Sequence, residues 1–176
     1  MTADYDLDSA GDVLRRTPDT LRALLADLPD EWLHGREAPD AWSPYQVCGH
    51  LLHIEQSDWM DRTRVILRHG TTQVFDPVDR EAGFATFDGW PVGRLLDEFA
   101  ATRRANLDEL RELVTPDDLD LRGLHPDFGA VTLAELLATW VVHDFNHLHQ
   151  IVKTMAKRYT VAVGPWRAFL PVLDVG

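Results

Sequence analysis

The stretch "WVVHDFNHLHQI", residues 140 to 151, carries His143, His147 and His149 within seven positions. Around them apolar side chains recur at steps of three or four, from Leu133 through Leu136 and Trp140 to Ile151, and His143 and His147 fill the steps between. Those two histidines therefore sit on the face that a helix turns toward a core. Residues four apart lie one turn up on the same face, with Cβ atoms about 5 to 6 Å apart, so both imidazoles reach a single ion. Burial supplies the chemical pressure. A neutral imidazole has two nitrogens to satisfy, and an ion takes one from each ring at once. The plainer use of such a pair is a hydrogen-bonded core or surface contact.

A third ligand has to come from another helix. In "WSPYQVCGHLLHIE" the inward stripe reads Val47, then His50 or Leu51, then Ile54, which puts His50 on or beside the core face. His50, His143 and His147 together make a metal site if the two helices pack side by side. His53, three residues beyond His50, is the alternative ligand, with a solvated flank as its default. His149 points about 200° away from His147 and is not expected to bind. Asp144 and Gln150 are candidates to orient an imidazole through its second nitrogen, or else surface residues. Glu55, Asp58 and Asp61 read as a solvated helix face, and Cys48 as a buried filler rather than a nucleophile. His125, in "HPDFG", reads as a turn residue that a site at the bundle end would bring to its mouth.

The elements that must carry these residues announce themselves by their caps. "TPDTLRALLADL" offers Thr17 as N-cap and Pro18 at the first helical position, with a possible earlier start near Ser9 and a stop before Pro29. Ser43, Pro44 and Gln46 open a second helix with a capping box, and it is predicted to run to about Arg68. Residues 70 to 90 hold Gly, Pro and Asp without a sustained period and predict a long loop. A third helix follows Pro91, with Leu96, Phe99, Leu107 and Leu110 as its seam. Thr132 and Glu135 cap the longest helix, which carries the histidine pair. Pro171 limits the C-terminal segment to a short docked piece. No strand run survives these assignments, and the chain reads as an all-α, four-helix bundle in a single domain over residues 1–176.

Composition removes several function classes. Lys and Arg number 17 against 29 Asp and Glu, a formal net charge of -12 without a basic cluster, which argues against a nucleic-acid partner. No segment approaches the roughly 20 apolar residues of a membrane span, and the N-terminus lacks a leader pattern, so a cytoplasmic protein is expected. Cys48 stands alone, which excludes an internal disulfide and a cysteine-rich zinc site.

The two stretches "WSPYQVCGHLLHIE" and "GAVTLAELLATWVVHDFNHLHQI", with the ending "VGPWRAFL", resemble the DinB-like superfamily of damage-inducible proteins, the likeness running from about Leu21 to Ile151. The resemblance implies an up-down-down-up four-helix bundle whose crossover joins helices two and three. It also implies a divalent ion, zinc or nickel, on His50, His143 and His147. No substrate-binding or catalytic residue carries over. Three neutral ligands leave the ion its charge and an open position, the arrangement of catalytic zinc. The family contains S-transferases that use low-molecular-weight thiols such as bacillithiol or mycothiol, and metal-dependent hydrolases. The leading expectation is a thiol S-transferase acting on a small electrophile in detoxification or stress response, ahead of a hydrolase and of a non-catalytic bundle that a metal stabilises. Related bundles often dimerise, and six tryptophans, among them Trp59, Trp90 and Trp166, exceed what one small core needs, so a homodimer is expected too.

Overall fold

The computed structural model describes residues 5–174; the first four and last two positions, which the single-domain and leader-free readings take in, lie outside the described residues. The first arm of the bundle is a broken pair. Helix α1 (Leu7–Leu14) provides the earlier start near Ser9, and the Asp6 carboxylate caps it by accepting a hydrogen bond from Ser9 N at 2.6 Å. Helix α2 (Thr17–Leu25) follows a tight turn. Its N-cap is Arg16, without a side-chain bond, and Thr17 is already helical and buried, which corrects the cap expected there. A short α3 (Asp30–Leu33) leads to the second arm.

Helix α4 (Pro44–Ser57) opens with the expected capping box, Ser43 Oγ accepting from Gln46 N and Gln46 Oε1 accepting from Ser43 N. It does not run to Arg68. At Asp58 the backbone leaves helical dihedrals (φ -128°, ψ -69°), and α5 (Trp59–His69) continues from there. Neither proline nor glycine marks the break, so apolar spacing alone reads straight through it. The crossover is also more ordered than a plain loop. Its α6 (Ala82–Thr86) packs on α4, and a Cβ at Gly83 would stand 2.5 Å from the Gly49 carbonyl oxygen. Only a residue without a side chain lets the two backbones approach so closely.

Helix α7 (Val92–Leu113) buries its predicted seam of Leu96, Phe99, Leu107 and Leu110, with Arg103 unexpectedly among them. The four-helix bundle stands, but two short strands follow where no strand run was expected. β1 (Arg122–His125) and β2 (Gly129–Thr132) form an antiparallel hairpin in which His125 faces Gly129, and Val74 of the crossover bridges to Leu124. Four-residue strands are too short for alternation to register. Helix α8 (Leu133–Lys157) starts with its Thr132–Glu135 capping box, and 3-10 turns at Gly164–Phe169 and Pro171–Leu173 finish the chain. α1 with α2, α4 with α5, α7 and α8 are the four arms. Among the described residues no helix is long and apolar enough to cross a membrane.

The core comes in two parts with a polar layer between. Along α7 the buried side chains pass from one cluster (Leu95, Leu96, Phe99) to the other (Leu107, Leu110) across Arg103. In α8 the same change, from Trp140 to Ile151, happens across His143, Asp144 and His147.

Candidate metal centre

Helices α4 and α8 pack side by side, and that contact closes the site. His143 Nε2 stands 3.1 Å from His50 Nε2 and 3.1 Å from His147 Nε2, and the ligand atoms of the three rings lie within 4.8 Å of one another. On a tetrahedral ion with bonds of about 2.0 to 2.1 Å, ligand nitrogens stand about 3.3 Å apart, close to this spacing. Among the described residues no other histidine, cysteine or carboxylate joins the group.

Protein atoms behind the rings set which nitrogen is free. His50 Nδ1 faces the Arg80 carbonyl oxygen at 2.8 Å, and His147 Nδ1 faces Gln150 Oε1 at 2.9 Å. An oxygen acceptor holds the proton on Nδ1, which leaves the Nε2 lone pairs of both rings directed at the same small volume. His143 Nδ1 is buried without a partner. Burial also keeps the rings neutral: it pushes His50 down to about 4 and His143 to about 2, and lowers His147. Neutral imidazoles with converging lone pairs are the donor set a divalent ion takes.

Aromatic rings wall the cluster. Trp42 lies parallel to His147 at 6.1 Å and tilts against His50 at 4.9 Å, while Trp59 meets His143 edge-on at 5.2 Å. Behind them, Arg103 is 1 % exposed and pairs with two carboxylates, donating to Glu55 Oε1 and Oε2 at 2.9 Å and to Asp144 Oδ2 and Oδ1 at 2.6 and 3.0 Å. Arg103 also reaches the Leu14 carbonyl oxygen, and Trp140 Nε1 donates to Glu55. The network ties α1, α4, α7 and α8 together at the level of the histidines.

This geometry sorts the flanking residues. Gln150 does orient a ring, whereas Asp144 serves Arg103 instead. Glu55 and Asp58 are buried, which corrects the solvated face expected for them; only Asp61 is exposed, paired with Arg64. Burial raises the Glu55 carboxyl against the pull of Arg103. His53 packs its Cβ near Gly83 and stays out of the cluster, and His149 is exposed. Cys48 is buried among apolar side chains, its thiol pushed up to about 12 by burial, as a filler's would be. A cavity of about 430 Å³ opens over the imidazoles, with Arg62, Arg80 and His125 on its walls.

A sequence profile of the DinB superfamily matches residues 14–151. The chain belongs to the DinB superfamily. A similar bundle occurs in YfiT from Bacillus subtilis, described as a probable metal-dependent hydrolase with an unusual four-helix bundle topology. That protein is 20% identical, with a TM-score of 0.77 over 90% of each chain. TT2238, described as a four-helix bundle protein, is also 20% identical, with a TM-score of 0.54 over 86% of this chain and 99% of that one. At such identity the likeness establishes the four-helix bundle fold alone. No curated protein matches the chain.

Proposed function

We propose that this protein is a metal-dependent enzyme of the cytoplasm, in which His50, His143 and His147 hold a divalent ion, zinc or nickel. It conjugates a low-molecular-weight thiol to a small electrophile, in detoxification or stress response. The observation that carries the reading is the convergence of three imidazoles, with His143 Nε2 3.1 Å from the Nε2 of both His50 and His147 and all three ligand atoms within 4.8 Å of one another. When bound to three neutral ligands, such an ion lowers the pKa of a thiol or water at its open position and so supplies a nucleophile near neutral pH. The protein's own part is to hold the site. The Arg80 carbonyl and Gln150 fix ring orientation, Trp42 and Trp59 limit water on the flanks, and the cavity admits the second substrate. His53, the candidate for a fourth ligand that would close the site, stands outside the cluster, which favours an open position over a purely structural ion.

Hydrolysis is the second reading, favoured by the description of YfiT as a probable metal-dependent hydrolase over the same fold. Elemental analysis of tag-free protein comes first. A near-stoichiometric zinc or nickel ion that vanishes in His50→Ala and in His147→Ala supports the site, and wild-type protein that takes up neither metal sinks it. The loaded protein is then offered cysteine with 1-chloro-2,4-dinitrobenzene, and separately 4-nitrophenyl acetate. Chelator-sensitive loss of thiol supports the transferase; thiol-independent ester cleavage supports the hydrolase. Self-association into a homodimer belongs to the same reading: Trp166 and Phe169 are largely exposed, as are Val142 and Phe145 on the outer face of α8. Sedimentation that finds only a 20.0 kDa species dismisses it.

A further inference from the structure

One polar pair in the cavity has no task in holding the histidines. His50, Ile54, Asp58 and Arg62 follow at intervals of four and all line it, so the pair stands roughly two to three turns beyond His50, across the break at Asp58. Asp58 occupies the N-cap position of α5, where an aspartate ordinarily accepts a backbone N–H, yet it makes no capping bond. It is 7 % exposed, and its Oδ1 has no hydrogen bond. Arg62 Nε forms an ion pair with that oxygen at 2.5 Å, the one partner either of these two buried atoms has among the described residues. Burial, partly offset by Arg62, pushes the Asp58 carboxyl up to about 6. Buried polar groups are ordinarily hydrogen-bonded, and here the ion pair lines a cavity with no hydrogen bond among the described residues to Asp58 Oδ2 or to the terminal nitrogens of Arg62.

The rest of that wall adds donors. His125 Nδ1 accepts from Asp127 N at 3.1 Å, which places the ring proton on Nε2. The Arg80 guanidinium has no hydrogen-bond or ion-pair partner among the described residues, and it too lines the cavity. The geometry points to a recognition subsite for an amino group beside a carboxylate, the head group of an amino acid: Asp58 receives the ammonium, and Arg62 with Arg80 receives the carboxylate. The remainder of the molecule then runs along Trp42, Ile54 and Trp59 toward the imidazoles. This inference rests on the cavity being the substrate site proposed above, and it names the class of that substrate.

L-Norleucine is the probe, compared by calorimetry with hexanoate, which lacks the amine, and pentylamine, which lacks the carboxylate. Wild-type protein is expected to bind norleucine at least tenfold more tightly than either. Asp58→Asn should erase the advantage over hexanoate, and Arg62→Gln the advantage over pentylamine, while both keep wild-type helicity and metal content. Norleucine binding no tighter than its two truncated forms overturns the subsite and leaves Asp58 and Arg62 as a pair that serves only each other, as does a preference that survives both substitutions. His50→Ala separates the two ideas: it should abolish metal uptake yet retain the norleucine preference, so a failed metal site and a failed head-group site give different patterns.

Discussion

Gln150 and Arg80 do the same work on two different rings, but only one of them does it with a side chain. Gln150→Leu removes the acceptor behind His147 Nδ1, and loss of an orienting partner of this kind costs about 10- to 100-fold in metal affinity. Competition against a chromogenic chelator measures it. Arg80→Ala keeps the backbone carbonyl that faces His50 and should leave ion affinity within a few-fold of wild type. The depressed imidazoles also predict a pH dependence. Above about 6.5 the rings are neutral both folded and unfolded. As pH falls, the unfolded chain takes up protons that the folded chain refuses until about 4 at His50 and about 2 at His143. Chelator-treated protein therefore loses stability below about pH 6.5, by about 1.4 kcal/mol per pH unit for each ring. Asp58 acts oppositely: its folded carboxyl takes a proton at about 6, before an unfolded aspartate would. The difference between wild type and His50→Gln in urea titrations at pH 7, 6 and 5 isolates the histidine contribution, which should shrink in the variant. At this scale the triad was legible because α-helical periodicity reserves core positions that His143 and His147 fill. Asp58 was not, because its direction depends on a break that no residue type announces.

Among the elements, α7 contributes no imidazole yet its Arg103 braces the two helices that do. Arg103→Met strands the Glu55 and Asp144 carboxylates in the interior, and removing one member of a buried charge network costs about 3 to 5 kcal/mol. Equilibrium unfolding measures the loss. Adding Glu55→Gln and Asp144→Asn should recover part of it, since the stranded charges are then gone. Charge patterning gave no sign of this network: Arg103 falls in "ATRRANLDEL", where polar residues are common and only the three-dimensional contact reveals the buried one. The capping boxes of α4 and α8 were readable because Ser43–Gln46 and Thr132–Glu135 satisfy each other locally. The hairpin and α6 were not, since their stability lies in contacts distant in sequence. Gly83→Ala tests that dependence. Its Cβ would meet the Gly49 carbonyl and His53 Cβ at 2.5 and 2.9 Å, forcing α6 away from α4 at a cost of about 1 to 3 kcal/mol, with weaker metal binding as the Arg80 carbonyl moves with it.

In the whole molecule the crossover, the hairpin and two arms of the bundle all converge on one cavity, although composition and net charge revealed only the classes of partner to set aside. Bundle architecture followed from helix count and connection length, while the path of the crossover over the imidazoles depended on its docking. That path has a kinetic meaning. His143 and His147 are neighbours as soon as α8 forms, but His50 lies 93 residues from His143, and its Nδ1 acceptor arrives only when the crossover has settled. The binding site is thus completed by some of the chain's most non-local contacts, which form late when loop closure is costly. An ion that recognises only the finished site cannot act as a template for collapse. Stopped-flow chevrons with and without zinc should show the same folding arm and a slower unfolding arm, the ion acting as a lock on a structure already made.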